Sequence, residues 1–144
     1  MRLALGVTVL ATATACGEKE QAADPYAASL AKRTVHVEYH GVVRGRAISG
    51  SGDFRGDRGT LTTHAGSTTL HQVVVGQRTY VKTVDGWRSS VTSGPNTPAE
   101  LFRRRLPATI ENGLVKRMTV GAITYVFSHY GEQVSVTVPR VKGN

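Results

Sequence analysis

Three sets of residues in this 144-residue chain have the types and spacing for chemistry. The first is Cys16, the sole cysteine, preceded by Ala13, Thr14 and Ala15 and followed by Gly17. A lone thiol behind small residues at the end of a short apolar run is a nucleophile open to modification, and no internal disulfide can compete for it. The second set is His36, Glu38 and His40, which share one face if the segment is a strand. Residues two apart on a strand stand roughly 7 Å from each other, so a metal ion would need a further ligand such as His64 or His71. The ordinary alternative, a solvated polar face, requires no such partner, and no metal is expected. The third set is Arg103, Arg104 and Arg105, the densest positive cluster. It suits an anionic headgroup, and it equally suits the negative end of a helix dipole.

Catalytic signatures are missing. No Ser or Cys sits in a nucleophile motif, no glycine loop lies between a strand and a helix as nucleotides require, and Asp53, Asp57 and Asp85 sit beside turns. The expectation is a non-enzyme without a cofactor.

The opening residues give the context. Arg2 is followed by an uncharged run from Leu3 to Ala15, too short for a membrane-spanning helix, which needs about 20 apolar residues. Charge, apolar run and small residues make the three parts of a secretory leader. The Ala13–Gly17 stretch resembles the lipobox of bacterial lipoproteins, whose usual Leu is replaced here by Ala13. The expected organisation is a leader over 1–15, a lipidated Cys16 opening a polar tether to residue 23, and one domain over 24–144. The expected location is the extracytoplasmic face of the cell membrane, held by acyl chains that each contribute about 0.8 kcal/mol per buried CH₂. Without the leader, 17 basic residues against 10 acidic ones leave +7. Such a surface favours anionic lipids or polymers; the leader and the lack of a basic helix interleaved with aromatics argue against nucleic acid.

Elements that could position these residues follow from periodicity. Asp24-Pro25 caps a short helix over Tyr26–Arg33. Val35, Val37 and Tyr39 then alternate with polar neighbours, as in a strand buried on one face. The glycine-rich stretch from Arg44 to Gly59 predicts turns, bulges and a strongly curved strand. Strands are predicted at 59–64, 68–75 and 78–83, with turns at Gly76-Gln77 and Asp85-Gly86. Thr97-Pro98-Ala99-Glu100 is a capping box that starts a helix ending near Pro107. Strands are predicted again at 114–120, 122–128 and 133–138. The fold class is α+β, an antiparallel meander with its helices on one side.

The segment from Val74 through Tyr80, Val81 and Lys82 to Trp87 resembles a hairpin of the LppX/LprG-type, LolA-like lipoproteins of actinobacterial envelopes. The order of lipobox, tether, helix, meander and capped helix is similar to that family as well. The resemblance implies a half-barrel, a curved antiparallel sheet with one or two helices on its concave face, enclosing an apolar cavity for lipid or lipoglycan. Candidate cavity residues are Val35, Val37, Leu70, Val73, Tyr80, Trp87, Leu101, Ile123, Tyr125 and Val134. The chain is shorter than members of that family, which implies a small or filled cavity. A filled one would make it an anchored module that binds a protein or an anionic polymer through its basic surface.

Cells fed labelled palmitate are expected to incorporate it into this chain, and Cys16→Ser is expected to abolish both the label and membrane fractionation. Unchanged fractionation of the serine variant contradicts the lipobox reading.

Overall fold

The computed structural model describes residues 23–142; the leader, Cys16 and the tether as far as residue 22 lie outside the described residues, as do 143 and 144. Helix α1 (Pro25–Ala31) leads into six strands: β1 (Thr34–Val43), β2 (Arg46–Arg55), β3 (Arg58–Ala65), β4 (Thr68–Val75), β5 (Arg78–Thr83) and β6 (Gly86–Val91). Helix α2 (Pro98–Arg103) follows, then β7 (Ala108–Glu111), β8 (Leu114–Val120) and β9 (Ile123–Ser128). All pairings are antiparallel, and the nine strands form one open sheet in the order β6-β5-β4-β3-β2-β1-β9-β8-β7. Two meanders are therefore joined where the last strand returns to pair with the first.

Each helix begins where its cap chemistry directs. Asp24 accepts a hydrogen bond from the Tyr26 amide at 3.0 Å, and Pro25 occupies the first turn, where a missing N–H costs nothing. The Thr97 hydroxyl accepts from the Glu100 amide at 3.3 Å. Both helices stop at an arginine in the left-handed region, Arg33 (φ 66°) and Arg105 (φ 53°). They are shorter than the periodicity suggests for that reason.

Alternation along the strands puts one set of side chains under both helices. Val35, Val37, Phe54, Val74, Phe127, Met118 and Val115 form the core with Leu101 and Phe102 of α2, all at most 7% exposed. Val115 and Met118 are three apart yet share this face. Thr109 pairs with Arg117 and Ile110 with Val115, so Lys116 is an extra residue in β8 that restores the phase. Tyr130 closes the end of the core by donating to the Val115 carbonyl at 2.6 Å. Burial pushes the Tyr130 phenol up to about 12, so it stays a neutral donor.

Two segments differ from their sequence-based reading. The glycine-rich stretch is no bulged strand: β2 pairs in unbroken register with β1 and β3 over its whole length. Its glycines make room on the helix-covered face, where the Tyr39 side chain lies over Gly50; in β3, Gly59 makes room for the Phe54 ring in the same way. Residues 133–138 form no strand. Their predecessor β9 already pairs on both edges, with β1 and β8, so no ladder is open beside it. The segment instead crosses the uncovered face. Val134 and Ser135 share a recess with His36, Asp53 and Thr60, and farther along Val141 and Lys142 lie beside Trp87. Strand β7 is short and was not legible in the pattern.

A Cβ at position 59 would overlap the Phe54 ring. Gly59→Ala is expected to lower stability by about 1–3 kcal/mol in urea unfolding, whereas Thr60→Ala, exposed on the other face, shifts it by less than about 0.5 kcal/mol. Equal effects of the two changes contradict this packing.

Candidate functional site

The helix-covered face is where apolar and charged groups converge, and α2 determines how they are divided. Its position is set by hydrogen bonds to two strand turns. Asp57, in the β2–β3 turn, accepts from the Thr97 hydroxyl at 3.1 Å and from both terminal nitrogens of Arg103 at 3.1 Å. At the β4–β5 turn, Gln77 donates to Glu100 at 2.8 Å. Asn96 donates to the Gly76 carbonyl and to the Thr79 hydroxyl, each at 3.1 Å. Thus tethered, α2 presses Leu101 and Phe102 onto the sheet, where Phe102 meets Phe127 edge-on with ring centroids 4.8 Å apart.

On one flank of α2 a recess of about 140 Å³ opens between Leu101, Pro98 and the sheet. Val37, Tyr39, Phe54, Leu61, Ile123 and Tyr125 make its floor. That volume is close to the ~150 Å³ of an engineered apolar cavity that holds benzene, and well below the roughly 300–1,000 Å³ of drug-sized sites. The Tyr39 hydroxyl bonds the Thr63 hydroxyl, which donates to Gln72 Oε1 at 2.9 Å, so a polar row runs along one side. Burial raises the pKa of both Tyr39 and Tyr125, which keeps the phenols neutral.

On the other flank, between α1 and α2, lies a recess of about 460 Å³ bordered by Val35, Phe102 and Arg103.

Of the candidate cavity residues, Val37, Leu101, Ile123 and Tyr125 line the smaller recess, and Val35 lines the larger. Leu70 stands on the same face, opposite Thr63, away from both. Val73, Tyr80 and Trp87 are on the uncovered face: Val74 faces the core, so Val73 opposite Tyr80 must face away, and Trp87 opposite Lys82 follows the same phase. Val134 joins that side through the crossing segment. These four are therefore not brought together with the rest. Tyr39, Phe54 and Leu61 were missed, although continued alternation from Val35 and Val37 places Tyr39 correctly.

The arginine cluster does not act as one patch. Arg103 pairs with Asp57, whereas Arg105 pairs with Asp24 and lies 5.2 Å above the Tyr26 ring. Arg104 is the exposed C-cap residue of α2. His36 bonds Asp53 at 2.7 Å, with Glu38 at 3.9 Å, while His40 lies opposite Ser49 and Thr124. Among the described residues no three His, Cys, Asp or Glu side chains are grouped to hold a metal ion. No helix among them is long and apolar enough to cross a membrane. No family model, no curated protein and no solved structure matches the chain.

The hydrogen bonds from Arg103 hold the Asp57 carboxyl below its ordinary value of 3.8, against the opposing effect of burial. A depressed folded-state value means the stabilisation is complete above the ordinary value and is lost as pH falls through the depressed one. Asp57→Asn is expected to cost about 1 kcal/mol near neutral pH, a surface ion pair plus one hydrogen bond. The deficit should shrink toward zero below about pH 4 when urea midpoints are compared across pH. A deficit that stays constant to low pH contradicts the ion-pair assignment.

Proposed function

We propose that the chain is a non-catalytic lipoprotein, anchored through Cys16 at the extracytoplasmic face of the membrane, whose helix-covered sheet face binds an acyl chain. The observation that carries this reading is the recess beside α2, whose floor is Val37, Phe54, Leu61 and Ile123. Leu61, Ile123 and Tyr125, half-buried beside the buried Val37 and Phe54, keep part of their apolar surface available for a ligand, at about 25 cal/mol per Å² buried. An acyl chain needs no catalytic group from its carrier, only an apolar wall and a position near the membrane. The recess has the size for the end of one chain, with the remainder running out along the face toward the opening.

The proposed architecture is a half-barrel similar to that of the LppX/LprG-type, LolA-like lipoproteins. Support for it comes from the open antiparallel sheet and the two helices on one side. With a recess this small, binding of one chain fits better than storage of a multi-chain lipid.

Native, non-acylated protein beginning at residue 16 should release lipid on organic extraction, detectable by mass spectrometry. It should also take up a fluorescent fatty acid, and Ile123→Trp should reduce that uptake about tenfold by filling the recess, about 1.4 kcal/mol of binding. A clean extract with no uptake favours the other reading, an anchored module that meets a protein or anionic polymer through its basic surface.

A further inference from the structure

Strand register gathers arginines at one end of the uncovered face. Thr34, Arg55, Arg58, Val75, Arg78 and Val91 stand opposite one another from β1 through β6 and make one row across the sheet. Val35, Phe54 and Val74 face the core, so their neighbours Thr34, Arg55 and Val75 face away, and Arg58 and Arg78 follow as partners in the same row. Val134, Ser135 and Val136 of the crossing segment lie beside Arg55 and Arg58, in agreement with that phase. At about 4.8 Å per strand, the row from Arg55 to Arg78 spans about 14 Å.

No acid balances these cations. All three arginines are exposed, and among the described residues none has a carboxylate within 4.0 Å. Asp53, two residues before Arg55 on the same face, is held by His36 at 2.7 Å. Asp57, in the turn between Arg55 and Arg58, is held by Arg103 of α2. Glu132 of the crossing segment borders the recess with His36 instead. Arg78 donates to a neutral partner, the Ser89 hydroxyl, at 3.2 Å. Arg33, also exposed, belongs to the same end, where its carbonyl accepts from the Gly56 amide at 2.9 Å.

Apolar side chains are interleaved with the charges. Val75, half-buried, separates Arg58 from Arg78, and Val91 beyond Arg78 is 69% exposed. Spaced guanidinium groups with valines between them suit the headgroup layer of a bilayer, where phosphates meet the cations and the apolar boundary meets the valines and the arginine stems. A hydrated polyanion gives the exposed valine no apolar contact.

Chain geometry puts this end within reach of a membrane. Helix α1 has seven residues, about 10 Å of length, and leads through Arg33 directly into Thr34 of the row. Residues 16 to 23 span at most about 25 Å when extended, so a lipid at Cys16 lets the row lie against the surface that holds it.

We propose that the row of Arg55, Arg58 and Arg78 docks this end of the sheet onto an anionic lipid surface. The proposal rests on the anchored-lipoprotein reading for the presence of a membrane beside the domain, and it is independent of acyl binding on the covered face.

The test uses protein beginning at residue 16, the form that the lipobox predicts, with Cys16→Ser so that no acyl chain contributes. It is sedimented with vesicles of equal parts phosphatidylglycerol and phosphatidylcholine and with vesicles of phosphatidylcholine alone; binding of long-chain polyphosphate is measured beside them. Anionic vesicles are expected to bind about tenfold more tightly than neutral ones, with the difference shrinking as salt is raised. Arg55→Gln, Arg58→Gln and Arg78→Gln should each weaken binding to the anionic vesicles about threefold to fivefold. Arg46→Gln, at the opposite end of the β1–β2 hairpin, removes the same charge and should change it by less than about twofold. All four side chains are exposed, so the variants should melt within a few degrees of the parent, which separates loss of binding from loss of fold.

Equal binding to the two kinds of vesicle overturns the proposal, as does an Arg46→Gln loss as large as that of Arg55→Gln. Polyphosphate binding that needs the three arginines, without binding to anionic vesicles, overturns the membrane as partner. Absence of vesicle binding in a chain that still takes up labelled palmitate at Cys16 overturns the docking surface and leaves the anchor standing.

Discussion

The two strands on either side of α2 lie at opposite edges of the sheet, because β9 returns to pair with β1 in the middle. Nine strands at about 4.8 Å apart make a flat width of about 38 Å, and the chain between Val91 and Ala108 has to cross it. That crossing determines which face is covered. It brings Leu101 and Phe102 over the alternating apolar residues of β1, β2, β4, β8 and β9, so the core forms on that face. It also determines where the face stays open, since a six-residue helix cannot cover a nine-stranded sheet. The two recesses are the ground left uncovered on either flank.

Anchoring of the crossing is polar, and its load is apolar. Asp57, Asn96, Thr97 and Glu100 fix α2 to the strand turns, while Phe102 packs against Phe127 beneath it. Burial of a side chain such as Phe102 contributes about 1.5–3 kcal/mol. The turn contacts add less individually but hold the helix in register, so that aliphatic and tyrosine side chains border the recess on one of its flanks.

Much of the architecture is legible in the sequence because it rests on local rules. The Thr97–Glu100 capping box, the Asp24-Pro25 start and the alternation of Val35, Val37 and Tyr39 each declare an element without reference to the rest. What failed to show depends on pairing. Three consecutive valines, Val73 to Val75, carry no phase, and only the partners Thr60, Gly59 and Arg58 on β3 determine which of them faces inward. Val134, Val136 and Val138 alternate as a strand does, yet the edges beside β9 are already taken. The candidate site was half visible for the same reason. Val37, Leu101, Ile123 and Tyr125 follow from periodicity, whereas Phe54 and Leu61 join them only through the register of β1, β2 and β3. The run Arg103–Arg105 looked like one patch, but the turn at the end of α2 sends its first and last members to different carboxylates.

The central claim is that an acyl chain lies on the helix-covered face, beside α2. A fatty acid carrying a diazirine at the end of its chain, irradiated in complex with the protein and mapped by peptide mass spectrometry, reports the location directly. Label is expected on Leu101, Ile123 and Tyr125. Label concentrated on Trp87 and Val134, across the sheet, would place the chain on the wrong face and contradict the account.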